Sequence, residues 1–217
     1  MALQKELQNS SVVILAQNFN PSIFNRYWLT KNEFIDNDNF NDDSVFAPGI
    51  SNIITSEFSL LVTPSQLLFE VNGGNPTLFI NYVNSLLIGI IRKLPEIPYK
   101  AIGLNFEWHV FDNEASSLAS VSEELFYPAN HVLQTSFNTD DSMYGCCLSK
   151  NFLNSRMKLD IQPATVCRAN LEEKDVFKFS FNYHKMLDLE TGYDNLLKNL
   201  KECNLYFDSS LEIVNAI

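Results

Sequence analysis

The sequence predicts an α+β fold in which a largely antiparallel sheet of six to eight strands carries helices on one face. Several segments alternate between apolar and polar residues, which is typical of strands with one buried and one solvated face. One longer segment repeats apolar residues at spacings of three and four, as a buried helix does. No long linker or low-complexity tract divides residues 1–217, so we expect a single domain.

The first part of the chain is predicted to contain a strand, a short helix and a β-hairpin. The predicted strands cover residues 11–16, 53–62 and 66–71. Thr63-Pro64-Ser65 is a tight connection, so the last two strands should pair. Asn20 is a good N-cap and Pro21 suits a first helical turn, which predicts a short helix that ends near Leu29.

A long helix is predicted over residues 77–93, after the break at residues 73–76. One stripe of this helix is apolar and consists of Leu78, Tyr82, Leu86, Ile90 and Leu94. Further apolar residues widen the stripe, and Pro95 ends the helix. We therefore expect the helix to be largely buried and central to the fold.

The second part of the chain contains the clearest strand, over residues 100–111. Its predicted buried side is Leu104, Phe106, Trp108 and Val110. The other predicted elements are a helix at 114–126, strands at 142–149, 156–163 and 176–184, a helix at 193–203 and a last short helix from Ser209. This order also suggests an internal hairpin–helix repeat, with copies at 53–93 and 142–203.

Charge and hydropathy argue against nucleic-acid-binding and membrane-bound classes of protein. The formal net charge is -11, and the 15 Lys and Arg residues are scattered, so direct nucleic-acid binding is not expected. The polar start of the chain does not resemble a signal peptide, and the apolar run at 85–91 is too short to span a bilayer. We therefore expect a cytoplasmic protein without a membrane partner, and four reduced cysteines.

The polar side of two predicted strands is the candidate binding face. It consists of Asn105, Glu107, His109, Asn182 and His184. If the two strands pair, these side chains share one sheet face and could build an acid–base site, with Glu107 or His109 as the proton acceptor. The favoured interpretation is a solvated or partner-covered face, because any half-exposed sheet has a polar outer side.

No motif indicates a cofactor, a metal or a catalytic nucleophile. The chain lacks HExxH, GxSxG, GxGxxG and P-loop patterns. The Asp-rich loop at 36–43 has Phe40 where a calcium loop needs a ligand and lacks the required Gly and Glu. Cys146 and Cys147 are neighbours in a predicted strand, so their thiols should point to opposite faces. Gly73-Gly74 is interpreted as a turn.

Two stretches resemble a sporadically distributed, functionally uncharacterised bacterial protein family. In that family a hairpin and a helix lead into a strand of the form Gly-Leu-Arg-Tyr-x-Asn, and here residues 103–108 read Gly-Leu-Asn-Phe-Glu-Trp. The family's C-terminal part is similar to Leu159-Asp160-Ile161, residues 193–204, Phe207 and the tail to Ile217. The family's Arg-Tyr is Asn105-Phe106 here, so no role of that arginine carries over. From Ser56 onward, the resemblance implies a bacterial cytosolic protein and no known activity.

The leading hypothesis is a non-enzymatic interaction protein, which acts as a subunit or regulator of a bacterial cytosolic complex and associates with itself through sheet faces or edges. A first alternative is a small-molecule-binding domain whose pocket is lined by Phe, Tyr and Trp108. A second is an enzyme that uses Glu107, His109 and His184. A third is an acidic mimic of nucleic acid. The sequence does not identify the ligand or the partner.

Overall fold

The structure is a computed structural model that describes residues 3–111, 118–127, 136–137, 139, 142–167, 173–188 and 190–217. The strands are β1 (Gln4–Ala16), β2 (Val45–Ala47), β3 (Ile50–Ile54), β4 (Phe58–Val62), β5 (Gln66–Val71), β6 (Tyr99–Phe111), β7 (Cys146–Phe152), β8 (Ser155–Cys167) and β9 (Glu173–Met186). They form one antiparallel sheet in the order β2-β3-β4-β5-β1-β6-β9-β8-β7.

The helices are α1 (Arg26–Lys31), α2 (Pro76–Tyr82), α3 (Ile88–Arg92), α4 (Leu118–Phe126), α5 (Gly192–Lys201) and α6 (Cys203–Asn215). A π-helical turn, Val83–Leu87, joins α2 to α3, so the predicted long helix is continuous. Asn75 caps its start by accepting from the Leu78 amide at 3.0 Å. The start of the predicted helix at 114–126 lies outside the described residues.

The core lies between one face of the sheet and the helices. The Phe106 ring is 5.6 Å from the rings of Phe79 on α2 and Phe207 on α6. Trp108 donates from Nε1 to Ser210 Oγ on α6 at 3.2 Å, which satisfies the one polar atom that this side chain carries into the core. Burial of these large rings is the main force that holds the helices on this face.

The alternation that predicted the sheet is confirmed. On β6 the side chains of Leu104, Phe106, Trp108 and Val110 are buried, whereas Asn105, Glu107 and His109 lie partly exposed on the opposite side. β9 behaves in the same way, with Phe177, Phe179, Phe181 and Tyr183 buried. We call the side that carries Asn105 and Glu107 the open face, because the helices described above pack on the other side.

The predicted count of six to eight strands is wrong, since the described residues alone form a sheet of nine. Residues 53–62 were expected to form one strand but contain a turn, in which the Thr55 hydroxyl accepts from the amides of Glu57 and Phe58. The three residues of β2 are too few to give a periodic pattern. The β4–β5 hairpin is confirmed, with Val62 opposite Leu67.

β1 is longer than expected and begins at Gln4 instead of Ser11. Leu7 is the one apolar residue between Gln4 and Ser10, so neither a strand nor a helix pattern marks the first half of β1. Pairing with β6 explains why it is extended: Glu6 lies opposite His109, and Asn9 lies opposite Glu107. The predicted hairpin–helix repeat stays a prediction.

Candidate functional site: the open face and the outer strand

Two of the predicted site residues meet at the centre of the open face. Asn105 on β6 and Asn182 on β9 are direct cross-strand partners. Asn182 Nδ2 donates to Asn105 Oδ1 at 2.6 Å, and Asn105 Nδ2 donates to Ser11 Oγ on β1 at 3.2 Å. The result is a row of amide and hydroxyl groups that crosses three strands.

A charged cluster lies one row further along the same strands. Lys178 Nζ is 2.7 Å from Glu107 Oε2, and His109 Nε2 is 3.5 Å from Glu107 Oε1. Burial lowers the pKa of His109 below its ordinary value of 6.5, although the Glu107 carboxylate acts in the opposite direction. Burial therefore favours the neutral imidazole, and the Glu107 carboxylate lies closer to the Lys178 ammonium than to the His109 ring.

His184 shares the open face but does not join this cluster. It lies opposite Gly103, which is four residues along β6 from Glu107. At about 3.3 Å per residue, this separation is about 13 Å, too far for a hydrogen bond. The His184 ring instead contacts Met186, with 3.3 Å between Nε2 and Sδ. The structure therefore brings four of the five predicted residues into two neighbouring groups, Asn105 with Asn182 and Glu107 with His109, and leaves His184 apart from the second group.

Sequence reasoning missed several members of the open face. Lys178 was not predicted as a site residue, because the register that sets it beside Glu107 is a long-range property. Asn9 and Glu70 were missed as well, and Asn9 Nδ2 donates to Glu70 Oε1 at 2.5 Å. Asn9 lies in the half of β1 that has no periodic signal.

The aromatic side chains that suggested a ligand pocket are used in the core. Trp108 is 5% exposed, and Phe106, Phe179 and Phe181 are at most 2% exposed. Phe181 and Tyr183 stack with ring centroids 6.3 Å apart. These rings therefore fill the space between sheet and helices instead of lining a cavity there.

The outer strand β7 differs from the rest of the sheet because it is uncovered. Five consecutive residues, 147–151, are exposed, and the Leu148 side chain is 52% exposed. β7 pairs with β8 on one side, and no described strand pairs with its other side. A strand in this position presents free backbone N–H and C=O groups along its outer edge.

The hairpin register shows which backbone groups of β7 face outward. Phe152 and Ser155 flank the two-residue turn between β7 and β8, and such flanking residues exchange backbone hydrogen bonds. Because the direction of the backbone groups alternates along a strand, those of Lys150 and Leu148 bond to β8. The amides and carbonyls of Cys147, Ser149 and Asn151 point away from β8. Consistent with this, the Ser149 carbonyl accepts from the Arg156 guanidinium, at 3.5 Å, and not from a β8 amide.

The two neighbouring cysteines lie on opposite sides of β7, as alternation predicted. Cys147 is exposed and faces Asp160 across the ladder, whereas Cys146 is partly buried opposite Ile161. Burial raises the pKa of the Cys146 thiol, and the neighbouring Cys147 and Asp160 add to the shift. A raised pKa reduces the thiolate fraction, which is the reactive form of a cysteine.

The Asp-rich loop is tied to the sheet through apolar and backbone contacts. Phe40, which occupies a potential ligand position, is 8% exposed and packs against Phe46, with ring centroids 6.2 Å apart. The Asn41 amide donates to the Ile54 carbonyl at 2.8 Å. The loop therefore uses Phe40 as an anchor to the core.

Among the described residues, none of the helices has both the length and the apolar character needed to cross a membrane. No protein-family model matches the chain, and no curated protein matches it. The resemblance to a bacterial family therefore stays a prediction.

Proposed function

We propose that the protein is a non-enzymatic interaction subunit that forms a homodimer by pairing β7 with β7 of a second copy. The carrying observation is the exposure of residues 147–151 on an outer strand. Strand addition satisfies the outward amides of Cys147 and Ser149 and the outward carbonyl of Cys147, and gives a second donor to the Ser149 carbonyl, which already accepts from Arg156. It also buries apolar side chains that alternate along the strand. As a homodimer the chain would act as a subunit or regulator of a larger complex.

An internal repeat, which we propose as well, supports this choice of edge. After the edge strand β2, the sheet order reads β3-β4-β5-β1 from one side, and it reads β7-β8-β9-β6 from the other. In each half an inner strand is followed by a helix, a meander and a further helical segment, and the meander has four strands in the first half and three in the second. β7 is thus the counterpart of β3. In the first half β3 pairs with β2, whereas no described strand occupies the corresponding position beside β7.

The side chains of β7 favour one two-fold register. When the axis passes through Leu148, the two Leu148 side chains lie opposite each other, and Cys147 of each copy pairs with Ser149 of the other. Lys150 then lies opposite Cys146. An axis through Lys150 would place two like charges opposite each other, which destabilises a strand pair. The Leu148-centred register hides the exposed leucine and avoids this repulsion.

Sedimentation equilibrium tests the proposal with a matched pair of variants. We expect the native chain to approach twice its mass of 24.8 kDa as the concentration rises. Leu148→Lys should raise the dimer dissociation constant at least about tenfold, because it removes apolar burial and sets two ammonium groups opposite each other.

Val45→Lys is the control, because Val45 is a 48%-exposed apolar residue on the strand at the other edge. It should leave the dissociation constant unchanged. A native chain that remains monomeric at high concentration, or equal effects of the two substitutions, would refute dimerisation through β7.

A further inference from the structure

Three exposed apolar side chains lie at symmetric positions along the chain around β7. Met143 is 48% exposed, Leu148 is 52% exposed and Leu153 is 45% exposed. Leu148 is on β7 itself, whereas Met143 comes five residues before it and Leu153 five residues after it. Single exposed apolar residues are common on protein surfaces. A set that is symmetric about one residue of an outer strand instead has the spacing that suits a two-fold interface between identical chains.

Met143 is held beside β7 by the residue that follows it. The Tyr144 amide donates to Ser122 Oγ on α4 at 3.1 Å, and the Tyr144 hydroxyl donates to the Phe137 carbonyl. The Tyr144 ring also packs against Tyr127, with ring centroids 4.7 Å apart. Because these contacts tie Tyr144 to its own chain, the exposed Met143 side chain keeps a fixed place just before β7.

Leu153 is held at the other end of β7 in a strained conformation. It is the first residue of the two-residue turn between β7 and β8, and its φ is 41°. Ser155 Oγ donates to the Phe152 carbonyl across this turn at 2.7 Å, and the Phe152 ring lies 5.6 Å from the Tyr183 ring. A positive φ favours glycine, so a leucine in this conformation is strained. Because strain of this kind persists where function needs it, the exposed leucine points to a partner outside the chain.

The proposed pairing of β7 with β7 of a second copy brings these side chains together. In a two-fold ladder centred on Leu148, a residue five places before the centre lies level with the residue five places after it on the other chain. Met143 of each copy is therefore level with Leu153 of the other, about 16 Å from the axis along the strand. The two Leu148 side chains meet at the centre.

Shifted registers separate the same side chains. With the axis one residue away in either direction, Met143 would lie level with Asn151 or Ser155. Of these three registers, the one centred on Leu148 gives every member of the exposed apolar set an apolar partner. The spacing of the side chains therefore favours one register independently of the charge on Lys150.

We infer that Met143 and Leu153 are the residues that select a second copy of this chain as the partner of β7. The inference rests on the proposed homodimer and adds the source of its specificity. Backbone hydrogen bonds along an edge accept any strand, and the register of a strand pair is set by its side chains. Apolar residues that match a second copy at a single register supply that selection.

Leu153→Gly separates binding from stability. Glycine relieves the positive φ, so this substitution should not lower the melting temperature of the Leu148→Lys chain. In the otherwise native chain it should raise the dimer dissociation constant at least about tenfold, measured by sedimentation equilibrium, because both ends of the interface lose apolar contact. A weaker dimer in a chain of undiminished stability cannot result from unfolding.

Met143→Ser should weaken the dimer in the same way. Its matched control is Met186→Ser, since Met186 is a 70%-exposed methionine on β9 and lies outside the proposed interface. The control should leave the dissociation constant unchanged.

Cross-linking tests the contact itself. Met143→Cys and Leu153→Cys are made singly and together in a chain in which Cys146, Cys147 and Cys167 are replaced by serine. The two positions are about 33 Å apart along an extended chain, so a disulfide between them forms only between two copies. Mild oxidation should give a covalent dimer for the double variant. Each single variant should stay uncross-linked, because like positions lie at opposite ends of the interface.

The outcomes separate this inference from the proposed function. If Leu148→Lys dissociates the dimer but Leu153→Gly and Met143→Ser do not, β7 still pairs with itself and the inference is overturned. Equal cross-linking of the double and single variants would overturn it as well, since the two side chains would not meet. A native chain that remains monomeric overturns the proposed function and the inference together.

Discussion

At one edge of the sheet, β2 has three residues, and at the other edge β7 has seven. β2 is supported from the side, because Phe46 packs on Phe40 and the short helical turn Pro21–Ile23 lies beside it. β7 has exposed side chains on both faces of the sheet. Short, supported edge strands resist pairing with other chains, whereas long exposed ones invite it. The comparison therefore supports the proposal that a second copy pairs with β7 and not with β2.

The largest expected effect comes from Ser149→Pro. Proline has no amide hydrogen, and the Ser149 amide points away from β8, so the substitution blocks strand addition without removing a β7–β8 hydrogen bond. We expect the dimer dissociation constant to rise at least about a hundredfold, measured by sedimentation.

Lys150→Pro is the matched control, since the Lys150 amide bonds to β8 in the register described above. It should lower the melting temperature of the chain more than Ser149→Pro does. If Ser149→Pro leaves the dimer intact, β7 is not the interface.

A smaller effect is expected at the centre of the open face, where polar groups already satisfy each other. Asn182→Leu leaves the Asn105 oxygen without its donor and should lower the free energy of unfolding by about 1–2 kcal/mol. Urea denaturation in the Leu148→Lys background removes any contribution from dimerisation. The control is Lys158→Met, since Lys158 is exposed and lies opposite Asn182 on β8. It should change the free energy of unfolding by less than about 0.5 kcal/mol. Equal losses would show that the Asn105–Asn182 bond does not stabilise the sheet.

The smallest effect is a pH dependence at His109. The pKa of His109 is lower in the folded than in the unfolded chain, mainly because the ring is buried. As the pH falls below about 6.5, the unfolded chain binds a proton more readily, so the folded state loses stability. His109→Gln should therefore lose less stability than the native chain between pH 7 and pH 5, while the two stability curves run parallel above pH 7. Identical pH profiles would contradict this assignment.

Sequence reasoning predicted what depends on local pattern and missed what depends on distant partners. The period-two order around Trp108 and Phe179 placed both strands and both of their faces correctly. The grouping of Asn105 with Asn182 followed from assuming that these strands pair. The separation of His184 from Glu107 depends on the register, which no local pattern encodes.

The outer strand illustrates a second limit. Residues 142–149 were expected to form a strand, whereas β7 runs from Cys146 to Phe152. The strand is therefore shifted toward the turn at Leu153, which has φ of 41°. A pattern of side chains can indicate that a segment is extended, but it does not show whether the strand lies at an edge. That property follows from the order of all nine strands.

Cross-linking at position 148 tests most directly whether β7 pairs with itself. Leu148→Cys is made in a chain in which Cys146, Cys147 and Cys167 are replaced by serine, and Cys203 remains because it is buried. Directly opposite residues of a non-hydrogen-bonded pair have Cα atoms about 4.5 Å apart, within reach of a disulfide. Mild oxidation should give a covalent dimer for Leu148→Cys, and none for Lys150→Cys or Val45→Cys in the same background. If Leu148→Cys cross-links no faster than Val45→Cys, the two copies do not meet along β7.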